Sequence, residues 1–261
     1  MNYDLQSNSM LTQFDGLFWF ILMLLPLVFL QRFLHREIQA VFLILSRSSE
    51  FTIALFSIIF LPGVFLHEFS HYLMAVILGV PAARFSLIPQ TLPNGRLQLG
   101  YVETARTDIV RDSLIGAAPL IAGTALVAFL AATRLELLPI WDALQNGQWS
   151  LVWLGITLLP QVKDFPLWFY LAFTVSSTML PSQSDRHAWL PLGVVIVILL
   201  ALAVLAGAGP WMLSNLEPSL NTFFRSVAVI VGLSAALHAV LIVPIFILHR
   251  ILSRVSGMDV A

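Results

Sequence analysis

Two histidines and a glutamate form the most chemically informative pattern in the chain, His67-Glu68-Phe-Ser-His71. On a helix, the side chains at positions i and i+4 share one face, so His67 and His71 can bind one metal ion together. Glu68 lies beside them and is placed to accept a proton from a water molecule that the metal activates. The pattern therefore predicts a helix that carries two metal ligands and a general base.

The residues around this pattern are apolar. No charged residue precedes it back to Phe51, and none follows it until Arg84. A charged group in the middle of a membrane costs roughly 3 kcal/mol on insertion scales. Ionisable residues in such a position usually have a function, so we favour a metal site over two core histidines with an incidental glutamate.

The composition is that of a helical membrane protein, which implies the lipid bilayer as a partner. Of the 261 residues, 59% are hydrophobic and only 10% are charged, which is more apolar than a soluble domain. The net charge of −1 gives no electrostatic basis for binding nucleic acid. The chain has no cysteine, so any metal must be bound by nitrogen and oxygen ligands.

The apolar stretches predict an all-α polytopic membrane protein of one domain, with about six spans and a short β-hairpin after the second span. An N-terminal span over 16–31 is followed by an interfacial helix, 31–50, whose apolar run is too short to cross a membrane. The metal-binding pattern lies in the second span, and the core of the domain covers about 51–208. The remaining predicted segments are spans at 51–79, 113–133, 165–180, 188–208 and 226–248, a polar connection at 136–148, a half-span or interfacial segment at 149–160 and a loop at 209–221.

The stretch after the second span has the pattern of a β-hairpin. Residues 84–88 and 96–103 are predicted strands, and Pro93-Asn94-Gly95 between them is a typical turn sequence. Leu97 and Leu99 alternate with polar neighbours, which is typical of a strand with one wet face. We therefore expect a hairpin at the membrane surface.

A third metal ligand must come from another part of the chain, because a catalytic zinc ion typically takes three protein ligands. Asp185, directly after the fourth predicted span, is the strongest candidate, although it could instead cap the next helix. Asp108 and Asp112 are weaker candidates because arginines lie close to them in the sequence. Glu217 is a further carboxylate, in a predicted loop. His238, in the last span, is interpreted as a hydrogen-bonded core histidine.

The sequence resembles the site-2 protease family of intramembrane zinc metalloproteases over about residues 55–205. His67-Glu68-Phe-Ser-His71-Tyr-Leu-Met-Ala75 fits the family pattern His-Glu-x-x-His-x-x-x-Ala. Thr178-Met-Leu-Pro181-Ser-Gln-Ser-Asp185 takes the place of the family's Asn-x-x-Pro and Asp-Gly element. It departs from that element in Thr178 for Asn, in Arg186 for Gly, and in a shorter spacing from proline to aspartate.

The resemblance implies that His67, His71 and Asp185 bind Zn²⁺ and that Glu68 is the general base. The implied reaction is hydrolysis of peptide bonds in or near transmembrane segments, with a transmembrane protein or peptide as the substrate. The implied active site faces the cytosolic side of the membrane. We also expect the hairpin to offer a strand edge to an extended substrate segment, since a helical peptide bond is shielded by its own hydrogen bonds.

Two other interpretations stay open. One is a membrane zincin whose third zinc ligand is a glutamate, for which Glu217-Pro-Ser-Leu-Asn221 offers a superficial match. The other is a catalytically silent membrane scaffold or transporter that kept the helical core, against which the intact Glu68 argues. Stoichiometric zinc in the purified protein would exclude the scaffold and leave the zincin standing.

Overall fold

The computed structural model describes residues 15–91 and 97–258, and most of them are helical. In those two stretches, five helices are long and apolar enough to cross a membrane: Asp15–Ser46, Ser49–Ile77, Ile109–Thr133, Trp189–Asn215 and Glu217–Ser256. This agrees with the prediction of an all-α membrane protein that carries a small β-element.

The described elements follow one another in a simple order. They are α1 (Asp15–Ser46), α2 (Ser49–Ile77), β1 (Ala82–Ser86), β2 (Gln90–Thr91), β3 (Leu97–Gln98), β4 (Tyr101–Thr104), α3 (Ile109–Thr133), α4 (Leu138–Gln145), α5 (Trp149–Leu158), α6 (Phe165–Thr178), α7 (Trp189–Ala203), α8 (Gly209–Asn215) and α9 (Glu217–Ser256). A 3-10 turn at Leu159–Gln161 follows α5, and a π-helical segment at Val204–Ala208 joins α7 to α8.

The first and last helices pack against each other in parallel. Asp15 at the start of α1 pairs with Arg225 near the start of α9, and Glu37 pairs with His249 near the end of α9. Between these two levels, Leu27 packs against α9 in one apolar cluster. The start of α1 and the end of α9 therefore lie at opposite ends of the pair, whereas six spans would return the chain to its starting side.

Helix α2 is the centre of the bundle and contacts α1, α3 and α6. Its apolar face contributes to the cluster of Leu34, Ile38, Phe56, Phe60, Val64 and Phe173. At Gly63, helix α6 comes so close that an added Cβ would collide with the backbone oxygen of Thr174. This close packing brings Thr178, at the end of α6, to the level of His67 on α2.

The predicted hairpin is present as two short antiparallel ladders. Strand β1 pairs with β4, and β2 pairs with β3, while the predicted turn at 93–95 lies outside the described residues. Leu87, Leu97 and Leu99 pack against the apolar cluster formed by α1, α2 and α6. The hairpin therefore packs against the helices, because its leucines find apolar partners there.

Several predicted boundaries are wrong. The N-terminal span predicted at 16–31 and most of the interfacial helix predicted at 31–50 belong to one continuous helix, α1, which ends at Ser46, because the buried apolar face continues past the arginines. The predicted loop at 209–221 and connection at 136–148 contain α8, the start of α9 and α4. Each of these helices has a proline in its first turn, where a missing N–H has no cost.

Two predicted spans also differ in length from their helices. The fourth predicted span, 165–180, is the 14-residue helix α6, which is shorter than the roughly 20 residues that cross a bilayer. The C-terminal span at 226–248 lies inside α9, which has 40 residues. Helix α6 is instead held among α2, α3 and α9, where it can position the residues that follow it.

Glu37 and His249 form a buried acid–base pair that generates a stability prediction. Nδ1 of His249 lies 2.6 Å from Oε2 of Glu37, and the two side chains are 8% and 5% exposed. Loss of one partner of such a pair costs roughly 3 kcal/mol because the other is left uncompensated, whereas replacing both with apolar residues costs far less. We expect Glu37→Ala and His249→Ala each to lower the melting temperature in detergent, followed by circular dichroism.

The matched control is the double variant Glu37→Leu/His249→Leu, which should be more stable than either single variant. Single variants that melt at the wild-type temperature would contradict a stabilising role for the pair.

Candidate metal centre

His67, His71 and Asp185 meet where α2 contacts the segment between α6 and α7. The Nε2 atoms of His67 and His71 are 3.2 Å apart. Carboxylate oxygens of Asp185 lie 3.6 Å from Nε2 of His67 and 3.4 Å from Nε2 of His71. Across 15–91 and 97–258, this is the only group of three such residues whose ligand atoms all lie within 4.8 Å of one another.

Backbone carbonyls fix the orientation of both imidazole rings. Nδ1 of His67 lies 2.6 Å from the carbonyl oxygen of Thr178, and Nδ1 of His71 lies 2.8 Å from that of Ile115. A carbonyl oxygen can only accept, so each Nδ1 donates its proton and the lone pair is left on Nε2. Both lone pairs therefore lie beside the Asp185 carboxylate.

These two carbonyls are free to accept for identifiable reasons. In a helix the carbonyl of Ile115 would accept from the N–H of residue 119, but residue 119 is proline and has no N–H. Thr178 is the last residue of α6, and the last carbonyls of a helix have no partner within it. Both histidines thus use backbone acceptors that the helices leave unpaired.

The spacing of the two histidine nitrogens and the Asp185 carboxylate suits a metal ion such as zinc. Atoms bound at 2.0–2.2 Å to a tetrahedral ion lie about 3.3–3.6 Å from one another. The two Nε2 atoms are 3.2 Å apart, Oδ2 of Asp185 lies 3.6 Å from Nε2 of His67, and Oδ1 of Asp185 lies 3.4 Å from Nε2 of His71. Two nitrogen lone pairs and a carboxylate repel one another unless a cation lies among them. Two imidazoles and one carboxylate, with a fourth position open, are also a typical donor set for catalytic zinc.

Asp185 is presented by a short loop that folds on itself. The Ser182 N–H donates to Oδ2 of Asp185 at 2.6 Å, and Gly116 of α3 admits the loop because an added Cβ would collide with the Asp185 backbone oxygen. The loop thereby holds the Asp185 carboxylate against the Nε2 atoms of both histidines.

A second contact ties this loop to α3. Nε2 of His187 lies 2.7 Å from Oδ2 of Asp112, and Nδ1 of His187 lies 2.5 Å from the carbonyl oxygen of Ser184. Asp112 lies one turn before Gly116, which contacts the same loop. His187 and Asp112 therefore support the position of Asp185 and are not part of the ligand group.

Glu68 faces a cleft beside this group. Its side chain is mostly buried, and the residue is 8% exposed. The cleft has a volume of about 1010 Å³ and is lined by His67, Glu68, His71 and Asp185 on one side and by residues 97–104 of the hairpin on the other. The hairpin comes closest to Glu68 at Gly100, between β3 and β4, where an added Cβ would lie 2.8 Å from Cγ of Glu68.

The other carboxylates proposed from the sequence have different partners. Asp108 caps α3, where its Oδ1 accepts from the N–H groups of residues 110 and 111 at 3.1 and 3.0 Å. Glu217 is the first residue of α9, whereas the sequence analysis placed it in a loop. Asp185 does not cap α7, which starts without a side-chain cap. His238 is a core histidine, as predicted, with both ring nitrogens hydrogen-bonded, to Ser234 and Ser177.

No known protein family, curated protein or solved structure matches this chain. The resemblance to the site-2 protease family therefore rests on the motifs alone, and the site is the feature that bears on function. The fold also brings together residues that are far apart in the sequence. Asp185, which lies more than a hundred positions after His71 in the sequence, is in contact distance of both histidines.

The position of Asp185 predicts the metal content of two variants. We expect Asp185→Ala to lower zinc affinity by 10-fold or more, since even the loss of outer-shell partners costs about that much. Glu217→Ala should bind zinc as the wild type does, because Glu217 is not among the described ligand group. Zinc bound per chain after dialysis, measured by mass spectrometry, checks both. Loss of zinc in Glu217→Ala alone would favour the glutamate zincin.

Proposed function

We propose that this protein is an intramembrane zinc metalloprotease that hydrolyses peptide bonds in or near transmembrane segments. The observation that carries the proposal is the convergence of His67, His71 and Asp185 beside Glu68 in one cleft. A bundle with only a structural role gains nothing from these groups, because burying each one costs free energy. The active site is proposed to face the cytosolic side, for which the family resemblance is the support.

The chemistry divides among a few side chains. When bound, zinc is a Lewis acid that lowers the pKa of water to about 7. Glu68 accepts the proton of the attacking water and delivers it to the leaving amine, as a general base and then a general acid. The carbonyls of Thr178 and Ile115 hold the imidazoles in the tautomer that leaves Nε2 free.

The hairpin supplies a place for an extended substrate. Strands β3 and β4 each have a single strand partner in the described sheets, so one edge of each lacks a strand partner there, and both strands line the cleft beside Glu68. A peptide bond must leave its helix before water can attack it, and an open strand edge can bind the extended backbone by adding a strand. We propose that this edge holds the substrate against the metal centre.

Glu68→Gln tests the general base. Glutamine keeps the shape of the side chain but cannot accept a proton, so we expect the variant to retain zinc and the fold while cleavage of a transmembrane substrate is lost. His67→Ala, in contrast, should lose both zinc and cleavage. If Glu68→Gln cleaves at the wild-type rate in a reconstituted assay, the assignment of Glu68 is wrong.

Gly100→Ala tests the role of the hairpin edge. The added Cβ would lie 2.8 Å from Cγ of Glu68 and 3.0 Å from the carbonyl oxygen of Ser86, so the strand has to move away from the centre. A displacement of about 1 Å can cost 100-fold in rate, and we expect kcat/KM to fall by about 10-fold or more with zinc retained. Gly193→Ala is the matched control, since an added Cβ at Gly193 meets nothing within 4 Å.

Unchanged turnover in Gly100→Ala, with Gly193→Ala also unchanged, would count against a substrate-binding edge beside Glu68.

A further inference from the structure

Helices α1 and α9 carry a second group of charged side chains in their C-terminal halves. Arg36 of α1 and Arg250 of α9 are both exposed. In the sequence, each arginine is next to one member of the buried pair in which Oε2 of Glu37 lies 2.6 Å from Nδ1 of His249. Because the two helices run parallel, this contact places Arg36 and Arg250 at the same level of the helix pair.

Two aromatic rings place both arginines on the same side of the helix pair. The guanidinium carbon of Arg36 lies 5.3 Å from the ring centroid of Phe33, and that of Arg250 lies 5.0 Å from the ring centroid of Phe246. The two rings contact each other across the helices, with centroids 6.2 Å apart. A cation–π contact holds an arginine over a ring and leaves its charge intact. We call these four residues the arginine–phenylalanine seam.

Positive charge exceeds negative charge at this end of the two helices. Residues 32–50 and 249–258 contain two glutamates, Glu37 and Glu50, and five arginines at positions 32, 36, 47, 250 and 254. Arg36 is 3.7 Å from Glu37, which already pairs with His249. The other four arginines form no ion pair with another residue of the described chain. The seam therefore attracts an anion at the membrane surface.

The seam lies at the depth of lipid headgroups. Residues 16–31 of α1 and 226–248 of α9 contain no aspartate, glutamate, lysine or arginine. Roughly 20 such residues cross the hydrocarbon layer of a bilayer. The arginines that follow these two stretches, Arg36 and Arg250 among them, therefore lie where the phosphates of one leaflet are expected.

Apolar side chains continue from the seam toward the middle of the bilayer. Phe29, one turn before Phe33 on α1, stacks on its ring with centroids 6.4 Å apart and is 69% exposed. Val243, one turn before Phe246 on α9, is 60% exposed. Side chains three or four residues apart share a helix face. The exposed surface thus has a cationic end and an apolar end, which matches the headgroup phosphate and the acyl chain of a phospholipid.

We propose that the arginine–phenylalanine seam binds one anionic phospholipid, with its phosphate against Arg36 and Arg250 and an acyl chain along Phe29 and Val243. Arginine suits this role because its planar guanidinium donates paired hydrogen bonds to phosphate oxygens. A membrane lipid fits the surface better than a free phosphate ion, since only the lipid covers the apolar end. A lipid bound in this way bridges the first and last helices of the bundle and stabilises their packing.

The seam is separate from the proposed active site. At 3.6 residues per turn, Phe29, Phe33 and Arg36 lie on one face of α1, whereas Gln31 and His35, which line the metal cleft, lie on another. The lipid site therefore goes beyond the proposed function, and neither depends on the other.

The test is native mass spectrometry of the detergent-purified protein, titrated with phosphatidylglycerol or with phosphatidylcholine of the same acyl chains. We expect the wild type to bind one phosphatidylglycerol about 10-fold or more tightly than phosphatidylcholine, because two arginines attract its net negative charge. Arg36→Gln/Arg250→Gln should lose this preference. Arg36→Lys/Arg250→Lys keeps both charges without the planar donors and should retain part of it.

The matched control is Arg106→Gln/Arg111→Gln, which removes two exposed arginines before and within the first turn of α3 and should keep the preference. Added phosphatidylglycerol should also raise the melting temperature of the wild type and of this control, because it binds the folded protein. The melting temperature of Arg36→Gln/Arg250→Gln should not respond to the lipid. A photoreactive group in the acyl chain should crosslink to Phe29 and Val243.

Equal affinity of the wild type for the two lipids overturns the proposal, as does a preference that survives in Arg36→Gln/Arg250→Gln. If Arg106→Gln/Arg111→Gln loses the preference to the same extent, the total charge of the protein is responsible and the site is overturned. Displacement of the bound lipid by inorganic phosphate would show that the arginines bind a free anion, which overturns a lipid site.

Discussion

Two imidazole nitrogens and a carboxylate lie within about 3.6 Å of one another at the centre of the bundle, and this convergence is the interaction on which the rest of the site depends. Lone pairs and a negative charge held so closely in an apolar setting need a cation to offset them. The hydrogen bonds that orient the two imidazole rings run from their Nδ1 atoms to backbone carbonyls alone. One is freed by Pro119 and the other by the end of α6, so the tautomers are set without another polar side chain.

Close helix contacts then determine where these groups lie. Gly63 lets α6 approach α2, and Gly116 lets the Asp185 loop approach α3. Gly123 of α3 similarly faces Met179, just after α6, so closely that an added Cβ would collide with its Cβ. Small residues at helix contacts are typical of membrane bundles, where packing replaces the hydrophobic effect between helices. Here they also bring the end of α6 and the following loop to the depth of the two histidines.

Much of this site could be predicted from local patterns, and the rest depended on long-range contacts. The i, i+4 spacing places His67 and His71 on one helix face, and the alternation at 97–101 predicts a strand, since both signals are local. Asp185 could be proposed from its place after the fourth predicted span and by comparison of motifs, but its contact with the histidines spans more than a hundred residues and is visible only in the fold. The continuous α1 and the helical start of α9 were missed because charges and first-turn prolines look like breaks in a sequence. Pro119 alone indicates that the carbonyl of Ile115 has no partner within its helix, because proline has no N–H. That His71 donates to this carbonyl is visible only in the fold.

X-ray absorption spectroscopy at the zinc edge of the purified, zinc-loaded protein tests the proposed metal centre most directly. We expect a first shell of four nitrogen or oxygen atoms at about 2.0–2.1 Å and outer-shell scattering from two imidazole rings. Replacing Asp185 with alanine should leave the two-imidazole pattern and lower zinc occupancy. A first shell with three or more imidazoles, or zinc without any imidazole scattering, would contradict a centre built from His67, His71 and Asp185.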